Sequence, residues 1–103
     1  MQRYPVRATH RKKIDGASLE AICHTHFGEA SREGESVTSR WGAIERLVAH
    51  AEGKELEVDL KMNPKVELAI AAETVQRYNA FLQEATGYTS KERAKRLRKS
   101  AGE

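Results

Sequence analysis

Three neighbouring side chains have the chemistry of metal ligands: Cys23, His24 and His26. The pattern of residues 15–28 predicts a helix. On a helix Cys23 and His24 point about 100° apart, and His26 diverges further from His24, so they are poorly placed to share one ion. Cys23 instead falls on the apolar face with Leu19, as expected of a small core residue. Because the cysteine is alone, an intrachain disulfide and paired-cysteine zinc spacings are excluded. We predict no metal and no cofactor.

The sequence contains no recognisable catalytic motif. It has no Gly-rich phosphate loop, no nucleophile elbow and no Ser/His/Asp set that the pattern brings together. Glu55, Glu57 and Asp59 alternate along one predicted strand, and pairing with Arg or Lys on neighbouring strands is the ordinary explanation. Acid–base catalysis would need one of them in an apolar pocket, and this sheet face is predicted to be solvated. We predict no catalytic residues and a nonenzymatic protein; an enzyme without a recognisable motif is the third alternative.

Positive charge is concentrated at the two ends of the chain. Residues 1–17 carry a net charge of +4, residues 18–89 of −5 and residues 90–103 of +4, within a total of +3. Clustered Lys and Arg on a helix can follow a phosphate backbone without reading its sequence, provided that the fold brings the two ends together. The predicted nucleic-acid contacts are Lys91, Arg93, Lys95, Arg96, Arg98 and Lys99 in the C-terminal segment, and Arg11, Lys12 and Lys13 near the N-terminus.

Two other interpretations compete with nucleic-acid binding. One is a solvated basic helix whose charge keeps the protein soluble and which docks partly on the acidic middle of the chain. Alternatively, if Ile44 and Val48 pointed outward beside Trp41, an apolar patch on the open sheet face would favour a protein partner or a homodimer. The acids of that face argue against a DNA-gripping saddle and against an obligate dimer through it.

The overall composition indicates one globular domain. The chain has 103 residues, of which 39% are hydrophobic and 32% charged. A chain of this length can bury its own core, and the apolar share is too high for disorder. A small domain with a single cysteine, and so without disulfides, suits a reducing compartment. The N-terminus lacks the apolar core of a signal peptide. The longest apolar run, residues 69–72, is too short to span a bilayer. We therefore expect a cytoplasmic protein with no membrane association.

The N-terminal half predicts a strand followed by a helix. Residues 2–9 alternate between apolar and polar side chains, and Pro5 cannot donate to a ladder, which places this strand at a sheet edge. A basic turn over residues 10–13 follows. Asp15 can cap the next helix, and Gly28 is a natural stop after it.

Three further strands are predicted in the middle of the chain. Residues 36–41 form a modest strand, and residues 55–62 alternate strictly between apolar and charged side chains. Residues 43–51 fit a helical face at least as well as a strand. The tight turn at residues 52–54 favours a hairpin, so we predict a strand there.

The C-terminal third predicts two helices. The first opens with Asn63 as cap and Pro64 at its first position, and ends at Gly87. Thr89 and Glu92 form a capping box that begins a second, basic helix over about residues 90–100. The buried stripe predicted for the first helix is Leu68, Ala71, Val75, Tyr78, Leu82 and Ala85, and the apolar side predicted for the second is Ala94, Leu97 and Ala101.

The order of these elements defines the predicted fold class. It is α+β: a β-α-β-β-β-α two-layer sandwich, with two helices on one face of an antiparallel sheet. We predict a single domain over residues 1–89 and a basic C-terminal helical extension over residues 90–103.

Several short motifs resemble a family of small uncharacterised archaeal proteins. They are Tyr4-Pro5-Val6, Thr38-Ser39-Arg40-Trp41-Gly42-Ala43, Gly53-Lys54-Glu55-Leu56-Glu57-Val58, Arg77-Tyr78-Asn79 and Ala85-Thr86-Gly87-Tyr88-Thr89-Ser90-Lys91-Glu92-Arg93, the last being the most specific. The resemblance implies two helices on one antiparallel sheet, with a connectivity similar to one repeat of the TATA-box-binding-protein fold. It also favours a strand over residues 43–51. It implies no activity.

Overall fold

The fold combines one antiparallel sheet with three α-helices. A computed structural model describes residues 2–53 and 55–101, and the side chains of all of these except residues 2, 13 and 96–101. The strands are β1 (Gln2–Pro5), β2 (Ser31–Glu33), β3 (Ser36–Trp41), β4 (Ile44–Glu52) and β5 (Glu55–Met62). The helices are α1 (Gly16–Phe27), α2 (Leu68–Thr86) and α3 (Ser90–Ala101), with a 3₁₀ helix at Ala8–Lys13.

The five strands form one sheet in the order β1-β5-β4-β3-β2, with antiparallel neighbours throughout. The predicted α+β two-layer class is confirmed, as are the edge position of the first strand and the strand over residues 43–51. Gly53, at φ +62°, makes the tight turn between β4 and β5. The edge strand β2 was not predicted, because its three residues are all exposed and leave no alternating pattern.

The core lies between the sheet and the helices. Phe27 of α1 and Phe81 of α2 contribute rings whose centroids are 5.5 Å apart. Apolar burial of this kind is the main favourable term in folding. The buried apolar side chains include Tyr4, Leu19, Ile22, Cys23, Phe27, Val37, Leu47, Ala49, Leu56, Val58, Phe81, Leu82 and Ala85.

The predicted ends of α1 are confirmed. Asp15 caps the helix by accepting a hydrogen bond from the backbone N–H of Ser18 at 2.8 Å, and Gly28 ends it in the left-handed conformation at φ +82°. The preceding strand is shorter than predicted. β1 stops at Pro5, since the backbone N–H of Arg7 leaves the sheet and donates to the carbonyl of Thr86 at 2.8 Å.

The predicted start of α2 was wrong. The Asn63 side chain accepts from the N–H of Lys65 at 2.9 Å, and its backbone N–H donates to the carbonyl of Ala43 at 2.7 Å. These bonds hold residues 63–67 in a turn, and the helix begins at Leu68. A capping residue followed by Pro is compatible with both a helix start and a turn.

The predicted buried stripe of α2 is only half correct. Leu82 and Ala85 are buried, but Leu68 is 89% exposed and Val75 51% exposed. Thr74 is buried instead: its hydroxyl accepts from the N–H of Ala43 at 3.1 Å and donates to the carbonyl of Ile70 at 2.7 Å. In the first half of the helix, the buried side therefore carries Thr74 rather than the apolar Val75 that the periodicity predicts.

A cationic junction between the chain ends

Arg7 joins the end of α2 to the start of α3. Its Nε donates to the carbonyl of Gly87 at 3.1 Å, and its guanidinium also pairs with Glu92 at 3.3 Å. The same guanidinium lies 4.6 Å from the ring centroid of Tyr88, close enough for a cation–π contact. The predicted capping box of Thr89 and Glu92 is confirmed by bonds of 3.0 and 3.2 Å. The N-terminal segment is therefore fixed to the helix junction.

Gly87 allows the basic 3₁₀ helix to approach this junction closely. Its φ of +79° is costly for other residues, and a Cβ atom built there would lie 2.7 Å from Nδ1 of His10. The 3₁₀ helix that carries Arg11 and Lys12 thus packs directly on the turn that begins α3. The two basic segments therefore meet, which is the condition that the prediction of nucleic-acid binding requires.

The burial of Arg93 corrects the prediction that this residue contacts nucleic acid. It is only 4% exposed, and its guanidinium donates to the carbonyl of Tyr88 at 2.7 Å and to Oδ1 of Asn79 at 3.1 Å. Buried there, Arg93 cannot reach a phosphate. Its side chain fixes α3 to the domain, whereas Ala94, which was predicted to face the core, is exposed.

Neutral groups surround this buried cation. The hydroxyls of Tyr4 and Tyr78 are hydrogen-bonded to each other at 3.0 Å. Burial and the hydrogen bond to Tyr4 raise the pKa of Tyr78, so this phenol stays protonated. Burial also lowers the pKa of Arg93, and the two tyrosines partly oppose that shift. An arginine nevertheless stays charged, and within the described part of the chain the acceptors that bind Arg93 are neutral.

The other cations of the junction are exposed. Arg11, Lys12, Lys91 and Lys95 are all exposed, and none forms an ion pair with another residue that the structure describes. The side chains of the remaining predicted contacts, Lys13, Arg96, Arg98 and Lys99, lie outside the described residues. We name Arg11, Lys12, Lys91 and Lys95 the terminal cationic surface.

Most described cations on the sheet and on α2 are arranged differently, because each faces a carboxylate; Arg32 on β2 is the exception, with no ion pair to another described residue. Arg3 pairs with Glu57 at 3.2 Å and Arg46 with Asp59 at 3.5 Å. Cross-strand pairing, the ordinary explanation for the alternating acids, is thereby confirmed for Glu57 and Asp59, whereas Glu55 lies opposite Glu52 and Pro5. Similar pairs are Lys61–Glu45 at 3.6 Å, Arg40–Glu29 at 2.7 Å and Arg77–Glu73 at 2.9 Å.

One group on the open sheet face has the chemistry of a metal site and was missed from the sequence. Nε2 of His50 lies 3.3 Å from Glu52 and 4.0 Å from Glu57, and all three ligand atoms lie within 4.8 Å of one another. Glu57 is buried, which corrects the expectation that this whole face is solvated. Arg3, however, pairs with the same Glu57 oxygen. The group forms through the cross-strand register of His50 and Glu57, which residue spacing does not reveal.

Cys23 is a core residue, as the helical pattern predicts. It is fully buried, and burial raises the pKa of its thiol to about 12. Since the thiolate is the reactive form, Cys23 should resist a water-soluble thiol reagent at neutral pH and react fully in denaturant. Reaction within seconds in the native protein would contradict this placement. The neighbouring His24 is exposed, and His26 bonds Glu84 at 2.7 Å, so the three do not converge.

The apolar patch proposed beside Trp41 is not formed. A register shift between Ile44 and Arg46 leaves Ile44 only 2% exposed in the core, whereas Val48 lies half-buried opposite Asp59 on β5. The Trp41 ring is covered by Arg77, whose guanidinium lies 4.3 Å from its centroid. Among the described side chains, the large apolar ones that are exposed belong to β5 and the first half of α2; they are Met62, Leu68, Ile70 and Val75.

The main groove over the sheet is lined by none of the described groups whose pKa values are clearly shifted. One groove of about 410 Å³ lies over β3 and β4 and is lined by residues such as Ser31, Thr38 and Arg46. A catalytic pocket would be expected to contain a group with a displaced pKa. The described groups with clearly shifted pKa values do not line this groove; they are Asp15, Cys23, Tyr78 and Arg93.

Helices packed on an antiparallel sheet, with a cationic junction at the chain ends, define a small two-layer α+β sandwich protein. Within the described residues no helix is long and apolar enough to cross a membrane. The family model for a "Domain of unknown function (DUF5611)" matches residues 1–99, and the chain belongs to this family.

A solved structure shares the fold. It is the NMR solution structure of hypothetical protein TA0095 from Thermoplasma acidophilum, with a TM-score of 0.69 and 24% sequence identity, covering 94% of this chain and 97% of that one. At this identity the likeness establishes the fold alone. No curated protein matches the chain. The resemblance to a family of small uncharacterised archaeal proteins is supported by these two matches.

Proposed function

We propose that this protein is a nonenzymatic nucleic-acid-binding protein that contacts the phosphate backbone through the terminal cationic surface. The observation that carries the proposal is the contrast in pairing. The ion pairs described above neutralise four of the five described cations of the sheet, all except Arg32, whereas Arg11, Lys12, Lys91 and Lys95 have no carboxylate partner among the described residues. Unpaired cations held on two adjoining helical segments favour an anionic ligand.

The chemistry of this surface favours binding without sequence preference. Lysine and arginine contacts to phosphate give affinity by releasing condensed counterions, and they carry no base information. The two segments meet at a fixed junction, because Arg7 and Gly87 hold them together. This contact between the two basic segments supports treating their cations as one surface.

The charge of the open sheet face is unfavourable for binding nucleic acid there. The open face presents Glu52, Glu55 and Asp59 in addition to its cations, and residues 18–89 carry a net charge of −5. Such a face repels phosphate. The resemblance to one TATA-box-binding-protein repeat stays a prediction of connectivity, and it does not place nucleic acid on this sheet.

Charge reversal on α3 tests the proposal. We expect Lys91→Glu with Lys95→Glu to weaken binding to labelled nucleic acid roughly 60-fold at about 0.1 M salt, as expected for the loss of two phosphate contacts. Fluorescence anisotropy across a salt series should give a slope of log affinity against log salt of roughly −4 to −6 for the native chain. The slope of the variant should be shallower by about 2.

A matched control separates local contact from net charge. Lys65→Glu with Lys61→Glu changes the net charge by the same amount at exposed positions; Lys61 lies near the end of β5 opposite to Glu55, which pairs with Pro5. Lys65 precedes α2, a helix of 19 residues, whereas Lys91 follows it, and the helix is about 28 Å long. The control should bind within a few-fold of the native chain. Equal loss in both variants, or no binding by the native chain at low salt, would overturn the proposal.

A further inference from the structure

We infer that the preferred ligand of the terminal cationic surface is double-stranded nucleic acid, recognised through its two phosphate backbones. This inference rests on the proposed function and names the substrate class. Two independent features of the molecule carry it: the burial of its aromatic rings and the geometry of α3.

The first feature is that no Phe, Tyr or Trp ring is offered for base stacking. Proteins that prefer single strands combine a cationic groove with exposed aromatic side chains on which successive bases stack. All six such residues of this chain are described, and each is buried or half-buried: Tyr4, Phe27, Trp41, Tyr78, Phe81 and Tyr88.

The ring nearest to the surface is also occupied. Tyr88 is 6% exposed, and the guanidinium of Arg7 lies 4.6 Å from its centroid. Trp41 is covered in the same way by Arg77 at 4.3 Å. A single strand that reached the terminal cationic surface would therefore find phosphate partners but no stacking platform, so it would lose the main advantage that unpaired bases provide.

The second feature is the placement of Lys91 and Lys95 on a helix that is docked on the domain. α3 has 12 residues, which corresponds to a length of about 18 Å, and Lys91 and Lys95 are four residues apart on its exposed side. The bond of Arg93 to Asn79 of α2 and the ion pair of Glu92 with Arg7 attach this helix to the domain. Because the helix is docked, Lys91 and Lys95 keep a fixed spacing, which suits the stiff and regular backbone of a duplex.

A duplex suits such an array better than a single strand does. It presents one phosphate charge for about every 1.7 Å of its axis, twice the density of one strand, and each contact releases more counterion. With salt slopes of about 0.9 per contact for a duplex and 0.7 for a single strand, about five contacts favour the duplex roughly 20-fold at about 50 mM salt. DNA and RNA duplexes share this phosphate chemistry.

The test is a direct comparison of strand types on the full chain. Fluorescence anisotropy at about 50 mM salt would use a DNA duplex of about 15 base pairs, an RNA duplex of the same sequence, and the separate strands chosen to avoid self-pairing. We expect at least one duplex to bind about tenfold or more tightly than its own strands. Comparison of the DNA duplex with the RNA duplex then identifies which backbone geometry is preferred.

The fluorescence of Trp41, the single tryptophan, gives a second readout. Saturation with duplex should leave its emission unchanged, because the ring lies on β3 beneath Arg77 and away from the junction. Single strands that bind as tightly as the duplexes, or that quench Trp41 by stacking, would overturn the duplex inference while the proposed function stands. Absence of binding to every probe would overturn the proposed function itself.

Discussion

Replacing Arg93 by alanine is expected to lower the free energy of unfolding by about 3 kcal/mol and to detach α3 from the domain. The change removes two hydrogen bonds from a charged donor, each of which contributes about 1.5–3 kcal/mol. It also leaves the carbonyl of Tyr88 and Oδ1 of Asn79 without their partner. Relief from burying the Arg93 charge offsets part of this loss.

Two measurements check the Arg93 prediction. The melting temperature should fall by more than about 10 °C, at about 4–8 °C for each kcal/mol in a domain of this size. Amide exchange in residues 90–101 should become faster than in the sheet. The matched control is Lys95→Ala, an exposed position on the same helix, for which we expect a change within about 0.5 kcal/mol.

Arg93→Lys should behave more like the alanine variant than like the native chain. A single ammonium group does not reproduce the two divergent donors of a guanidinium, which here bond to Tyr88 and Asn79. An Arg93→Ala variant that melts at the native temperature, with protected amides in α3, would contradict the assigned role of this side chain.

Replacing Phe81 by alanine should have the largest effect on stability, about 3–5 kcal/mol. The ring is completely buried, and its centroid lies 5.5 Å from that of Phe27 and 6.4 Å from that of Tyr78. Truncation removes a large apolar group and leaves a cavity between the two helices. Chemical denaturation monitored by circular dichroism measures the loss directly.

Val75→Ala is the matched control for Phe81. It lies on the same helix and belongs to the stripe that the sequence predicts to be buried, but it is 51% exposed. We expect it to change the free energy of unfolding by less than about 0.5 kcal/mol. A loss at Val75 comparable to that at Phe81 would mean that the first half of α2 is covered, contrary to the described packing.

Local signals in the sequence identify most of the elements correctly. The alternation of residues 55–62 predicts β5, the Asp15 cap and Gly28 predict α1, and the Thr89–Glu92 capping box predicts the start of α3. Each of these signals involves residues that are close together in the sequence, so it can be recognised without knowing the tertiary contacts. The strand at residues 43–51 is correctly predicted because its short turn to β5 is also local.

The errors in α2 arise where distant contacts outweigh local preference. The bonds of Asn63 and Thr74 to Ala43 hold the start of α2 against the sheet, and they select a helix face that hydrophobic periodicity does not predict. The exposed strand β2 has no periodic pattern at all, and it depends on pairing with β3.

The candidate site is predictable in composition but not in arrangement. The sequence shows two basic ends, yet their meeting depends on Arg7 contacting residues about 80 positions away. Charge alone does not distinguish the buried Arg93 from the exposed Lys91 and Lys95. That difference comes from the docking of α3, which turns one arginine inward to hydrogen-bond acceptors in the core.

The most direct test of the account is the location of bound nucleic acid on the protein. Titration of the isotopically labelled full chain with a short duplex, followed by amide chemical shifts, would locate the interface. We predict shifts confined to residues 7–13 and 87–101, with the strands of the open face unchanged. Shifts confined to β3, β4 and β5, or no shifts at low salt, would contradict the claim that the joined chain ends form the binding surface.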